Sequence, residues 1–163
     1  MKLSIECRYP ASAAVVLKMM TTREFHTGKL EILGLAPYTV LAHHFDGGDF
    51  SIKIRRKMAI SAPVPAALRR FTPAEITVTH EDCWNVPNRS GAVDFEVKGL
   101  PVELSCRTAL IDREEHSLLR YDWDIGAKVP LLGGALEKLL MADLERKLMA
   151  ETQAGIGLLK DYL

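Results

Sequence analysis

Three residues stand where the alternation of their own segments would carry polar chemistry into a core: Arg56, His80 and Tyr121. Arg56 is in phase with Ile52, Ile54 and Met58, so strict alternation turns its guanidinium to the covered face of a strand. A buried, unpaired cation is costly, so Arg56 should meet a carboxylate, the acid group of a ligand or the mouth of a cavity. A bulge after Arg55 would instead release it to solvent. His80 shares a face with Ile76 and Val78. There a neutral imidazole can donate or accept one hydrogen bond in a pocket, or serve as a satisfied structural histidine. Tyr121 is in phase with Leu119, Trp123 and Ile125. As acid–base machinery the set is thin, because arginine does not give up its proton at neutral pH.

Other chemistry-bearing residues point elsewhere. His43 and His44 are adjacent, and neighbours on a strand face opposite ways, so the two cannot ligate one ion. No His or Cys spacing resembles a metal site, so neither a metal nor a cofactor is expected. Cys7, Cys83 and Cys106 are odd in number and far apart, which argues against a disulfide framework and for a reducing, cytoplasmic setting. The chain has no nucleophile elbow, phosphate-binding glycine loop or dinucleotide fingerprint. Gly133-Gly134 at a helix start could offer amides to an anion, or simply let the chain turn sharply. Lys53, Arg55 and Lys57 form a basic stripe, readable as a contact for acidic headgroups or as a solvated strand face. No aromatic residues interleave with it as base stacking would require.

The elements that must position these residues follow from periodicity. Residues 2–9 alternate as a strand, and Ser12 is placed to cap a helix over 13–20. A second helix is predicted over 23–32. A hairpin with strands at 38–45 and about 50–60 turns at Gly47-Gly48. A proline-rich break at 61–73 holds one helical turn at 66–71. Four further strands are predicted at 75–84, 92–98, 102–111 and 118–125. Such alternation means an antiparallel sheet with one wet and one covered face. The cover is a long final helix in which Leu132, Leu136, Leu139, Leu140, Leu144 and Leu148 recur at helical spacing. Asp143 and Lys147 pair on its flank, and Gly155 and Gly157 are expected to fray or bend its end.

Length and composition set the bounds. The chain has 163 residues, the size of one ordinary domain, and no linker divides it, so residues 1–163 are expected to form one ligand-binding domain. Lys and Arg total 21, balanced by 21 Asp and Glu, which gives no field to gather nucleic acid. The same neutrality gives little colloidal repulsion and leaves a homodimer open. No apolar run is long enough to cross a bilayer, and the first residues do not read as a secretory signal.

Two segments carry a family resemblance: Thr79-His80-Glu81-Asp82-Cys83-Trp84, and the run from Tyr121-Asp122-Trp123-Asp124 through Val129-Pro130-Leu131-Leu132-Gly133-Gly134 into Leu136-Glu137. Together with Tyr9-Pro10-Ala11-Ser12 before a helix, they resemble the START and birch-pollen-allergen superfamily, which includes polyketide cyclases. The resemblance is closest to a family of uncharacterised prokaryotic domains within it. It implies an α+β helix-grip fold: a curved antiparallel sheet of about six to seven strands wrapped around a long C-terminal helix. It also implies a small apolar or amphiphilic ligand, such as a lipid or polyketide, held for transport or sequestration between sheet and helix. The expected wall comprises Val78, Val93, Phe95, Leu104, Cys106, Tyr121 and Trp123 on the sheet and Leu136, Leu140 and Leu144 on the helix, with Arg56 or His80 as polar anchors. The rivals are a cyclase- or aromatase-like enzyme, and a protein-interaction module whose cavity is filled by side chains.

Overall fold

The computed structural model describes residues 1–163. Strand β1 (Lys2–Tyr9) leads into helices α1 (Ala13–Met20) and α2 (Arg23–Ile32). Strands β2 (Tyr38–Phe45), β3 (Asp49–Met58), β4 (Ile76–Asn85), β5 (Ser90–Lys98), β6 (Val102–Asp112) and β7 (Ser117–Ala127) follow, and then helix α3 (Gly133–Leu159). Short 3-10 turns lie at Ala66–Phe71 and Lys160–Tyr162. All seven strands form one antiparallel sheet in the order β1-β7-β6-β5-β4-β3-β2. From β2 to β7 each strand pairs with the next, and β7 returns to flank β1. This is the helix-grip arrangement.

Local chemistry accounts for the helix starts. The Ser12 hydroxyl accepts from the Val15 amide and the Thr22 hydroxyl from the Phe25 amide, each satisfying a donor that the helix leaves free. The inward phases are continuous across β3 and β4, where Arg55 pairs with Thr79 and Arg56 with Val78. No bulge follows Arg55, and Arg56 faces inward at 9% exposure. The irregularity falls in β2, between Val40 and Ala42, and it leaves Leu41 exposed. An extra residue is cheaper on this edge strand than beside a paired neighbour.

The end of α3 corrects an expectation. The helix neither frays nor stops at Gly155 and Gly157 but runs on to Leu159. At Gly155 the reason is close approach: a Cβ there would sit 3.0 Å from the Tyr9 hydroxyl and 3.4 Å from the Phe25 ring. The missing side chain lets α3 settle against β1 and α2, and that packing offsets glycine's helix cost of about 1 kcal/mol.

Buried apolar residues form two clusters. One lies beneath α1 and α2 and contains Tyr9, Met19, Phe25, Phe50 and Leu119. The other lies between the sheet and α3 and contains Val78, Trp123, Ile125, Leu136 and Leu140. Tyr121 packs against both. No helix is long and apolar enough to cross a membrane.

Candidate functional site

Between the concave face, α3 and α2 the structure leaves a cavity of about 120 Å3, lined by 25 residues of which 17 are hydrophobic. A single water needs roughly 10–15 Å3 measured this way, so the space exceeds a packing defect by about an order of magnitude. Two helical stripes close it. Leu140, Asp143, Leu144, Lys147, Leu148 and Glu151 come from α3, and their spacing of three and four residues puts all six on one face. His26, Lys29, Leu30 and Leu33, at and just beyond α2, show the same spacing.

The sheet supplies an aromatic arc. The His80 and Phe95 ring centroids are 6.1 Å apart, and those of Phe95 and Trp123 are 5.4 Å apart. His80 Nδ1 lies 2.9 Å from Asp82 Oδ2, two residues along the same face of β4. Burial alone would raise the Asp82 carboxyl, but the hydrogen bond and charge of His80, aided by His26 and Lys29, hold it well below the ordinary carboxylate range. Asp82 therefore stays an acceptor and orients the His80 ring from Nδ1. Arg56 and His80 are diagonal neighbours, since Arg56 pairs with Val78 and Ile54 with His80. Such neighbours are about 7–8 Å apart, within reach of long side chains.

Three buried nitrogens have no partner in the protein: Arg56 Nε, His80 Nε2 and Trp123 Nε1. All three belong to residues lining the cavity. The two unpaired buried hydroxyls, on Thr108 and Ser117, belong to residues outside it. Buried polar groups are nearly always paired, so three unpaired nitrogens around one hollow single it out as the candidate site.

Charged groups gather along the helical walls. Glu151 reaches toward both Lys29 Nζ, at 3.7 Å, and Arg56 Nη2, at 4.0 Å. Asp143 accepts from the Ser61 amide at 2.6 Å, the Ser61 hydroxyl at 2.7 Å and the Ala62 amide at 3.2 Å. Lys147 donates to Asp143 and to the Ala59 carbonyl. Burial works against ionisation of Asp143, but these donors outweigh it and keep its pKa low. The pair ties the segment after β3 to the middle of α3. His26 differs: burial, reinforced by Lys29, pulls its imidazole down to about 4 against the opposing pull of Asp82. It is neutral at pH 7, with Nε2 placed 2.8 Å from the Met20 carbonyl as a donor. Burial also keeps the Tyr121 phenol protonated, its pKa well above the usual value.

Of the residues expected at a site, Arg56, His80 and Tyr121 line the cavity. So do Val78, Val93, Phe95, Leu104 and Trp123 on the sheet, and Leu140 and Leu144 on α3. Cys106 and Leu136 do not. Cys106 pairs in register with Val93 and Trp123, whose larger side chains form the wall over its short one, and its Sγ turns to the Arg107 carbonyl at 3.4 Å. Burial pushes this thiol up to about 12. Leu136, with no exposed surface, lies one turn before Leu140, in the solid part of the cluster. The alternation that turns His80 inward also turns Asp82 inward, so Asp82 was within reach of the same reasoning. Lys29, Asp143, Lys147 and Glu151 were harder to find, because a charged residue on a helix reads as its wet side. No group of three or more His, Cys, Asp or Glu is placed to hold a metal.

Comparison with known proteins agrees with this architecture. No curated protein matches the sequence. Among solved structures, the Zhui aromatase/cyclase from Streptomyces sp. R1128 aligns at TM-score 0.65 and 13% identity, covering 98% of this chain and 93% of that one. A START superfamily protein from Mycobacterium smegmatis aligns at 0.62 and 14% identity, covering 99% of each. Norcoclaurine synthase from Thalictrum flavum aligns at 0.65 and 15% identity, covering 97% of this chain and 85% of its own. At such identities the likeness establishes the fold. Residues 4–156 match the model of a family described as a protein of unknown function, DUF2505, so the chain belongs to that family and carries the helix-grip fold of START and birch-pollen-allergen proteins.

Proposed function

We propose that the protein binds one small apolar or amphiphilic molecule in the cavity between sheet and α3, for transport or sequestration. The observation that carries this reading is a hollow whose lining is mostly hydrophobic, 17 residues of 25, yet which includes three buried nitrogens with no partner. Apolar burial supplies affinity in such sites and a few polar groups fix orientation. The anchors are Arg56, His80 and Trp123, with Phe95, Leu140 and Leu144 holding the apolar body. Native mass spectrometry of purified protein, before and after organic extraction, tests it. Extra mass that extraction removes, with environment-sensitive dyes then binding one to one and shifting Trp123 fluorescence, supports the proposal. Protein that neither carries nor takes up an apolar molecule overturns it.

A second reading has its own observation. His80, held by Asp82 at 2.9 Å and with Nε2 free, has the form of an oriented base beside a cavity. The aromatase/cyclase and norcoclaurine synthase that share the fold make an enzyme a reasonable rival. Binding remains the better reading, because Arg56 Nε and Trp123 Nε1, neither of which can act as a base at neutral pH, are unpaired around the same hollow.

A further inference from the structure

We propose that the molecule held in this cavity carries a carboxylate, and that Arg56 is the residue that binds it. The inference rests on the ligand-binding reading above and narrows it to one class of headgroup.

Geometry divides the charged side chains around the hollow into those already engaged and those left over. Asp82 is engaged by His80 at 2.9 Å. Asp143 is engaged by Ser61, Ala62 and Lys147. His26 is neutral and committed to the Met20 carbonyl. What remains is two cations, Lys29 and Arg56, sharing one carboxylate, Glu151. At 3.7 and 4.0 Å, Glu151 stands beyond hydrogen-bond distance of both. Lys29 has a further partner in the Phe25 ring, 4.7 Å from its Nζ. Arg56 has none: it is 9% exposed, its one counter-ion is distant and its Nε is unpaired.

A guanidinium in that state gains little from water and only a long-range contact with Glu151 from the protein. Its rigid fork of N–H donors matches the two oxygens of a carboxylate, which accept two parallel bonds. A neutral headgroup offers the guanidinium no counter-charge, and a phosphate brings nearly two negative charges close to Glu151 and Asp82. His80 Nε2, diagonal to Arg56 on the same wall, is a second polar point beside that headgroup. The apolar remainder then lies along Phe95 and Leu140.

Calorimetric titration of the full chain at neutral pH with octanoate, 1-octanol and octyl phosphate tests this. Octanoate should bind at least roughly tenfold more tightly than octanol, and more tightly than octyl phosphate. Arg56→Gln should weaken octanoate by roughly ten- to a hundredfold and leave octanol unchanged. Arg56→Lys should fall between, because it keeps the charge and loses the fork. If Arg56→Gln fails to melt cooperatively, the wild-type preference for octanoate and the Arg56→Lys result decide. Equal binding of octanol and octanoate, preference for octyl phosphate, or equal weakening of both ligands by Arg56→Gln would each overturn the carboxylate assignment while leaving ligand binding intact. Failure of all three compounds and of apolar dyes to bind would overturn the binding reading and this inference with it.

Discussion

Beneath α1 and α2, the side chains of Tyr9, Met19, Phe25, Phe50 and Leu119 fill the concave face so closely that none is more than 2% exposed. Under α3, the same sheet meets a helix whose buried side is mostly leucine, yet a hollow remains. Buried nitrogens differ in the same way, while the unpaired Ser117 hydroxyl, opposite Tyr9 at the filled end, borders no such hollow. At the boundary His26 directs Nε2 to the Met20 carbonyl, whereas farther along the sheet Arg56, His80 and Trp123 each keep a buried unpaired nitrogen. Incomplete packing and incomplete hydrogen bonding coincide at one end only. Either defect alone could be a local imperfection. Together they are the observations on which the proposed binding role rests.

The sharpest way to break this contrast is to make the filled end hollow. Phe50→Ala should cost about 3–5 kcal/mol, because a tightly packed region relaxes only partly around a lost ring. Urea denaturation at pH 7 would measure it, and a loss below about 1 kcal/mol would mean that this end is not close-packed.

Acid tests the polar side of the comparison. The folded state holds His26 neutral, with a pKa near 4. In the unfolded chain it titrates near 6.5. On acidification the unfolded chain therefore takes up the proton first. The stabilising contribution is fully present above about pH 6.5 and declines as pH falls toward 4, by about 3 kcal/mol in all. In His26→Leu that part of the slope should vanish from stability measured across pH 7 to 4. An unchanged slope would mean that His26 is not the group responsible.

Leu140 borders the hollow, so part of its surface already lacks neighbours to lose. Leu140→Ala should cost about 2 kcal/mol, the low end for buried leucine, and should shift ligand preference toward bulkier molecules. A cost as large as that of Phe50→Ala would show the space under α3 to be as filled as the rest.

The smallest effect should also differ in sign. A buried cation without a close partner contributes little to folding, so Arg56→Met should leave stability within about 1 kcal/mol, on the stabilising side, in the ligand-free protein. A loss of several kcal/mol in thermal or urea unfolding would instead make Arg56 a structural ion-pair member held by Glu151.

Much of the fold was legible because alternation and helical spacing are local properties of the backbone. The inward phase of Ile52, Ile54 and Arg56, and that of Ile76, Val78 and His80, survive without correction in the paired strands. Even Asp82 was available from the same rule. The run of leucines through α3 likewise marks its buried side, and Ser12 marks where α1 begins. Less legible was the part α2 plays, since His26, Lys29 and Leu30 look like an ordinary short amphipathic helix until the fold brings them over the sheet. The reach of α3 past Gly155 was hidden for a similar reason: it depends on Tyr9 and Phe25, more than a hundred residues away in the chain.

The sequence by itself therefore determined which residues face inward, because each strand or helix sets the direction of its own side chains. Only the tertiary structure decided what those faces enclose. Whether two apolar surfaces meet or stand apart depends on the summed volumes of side chains from distant segments. Whether Glu151 satisfies Arg56, satisfies Lys29 or stops short of both depends on angstroms set by three separate elements. Periodicity carries no information about such distances, and here they turn an ordinary core into a cavity with an arginine waiting on its wall.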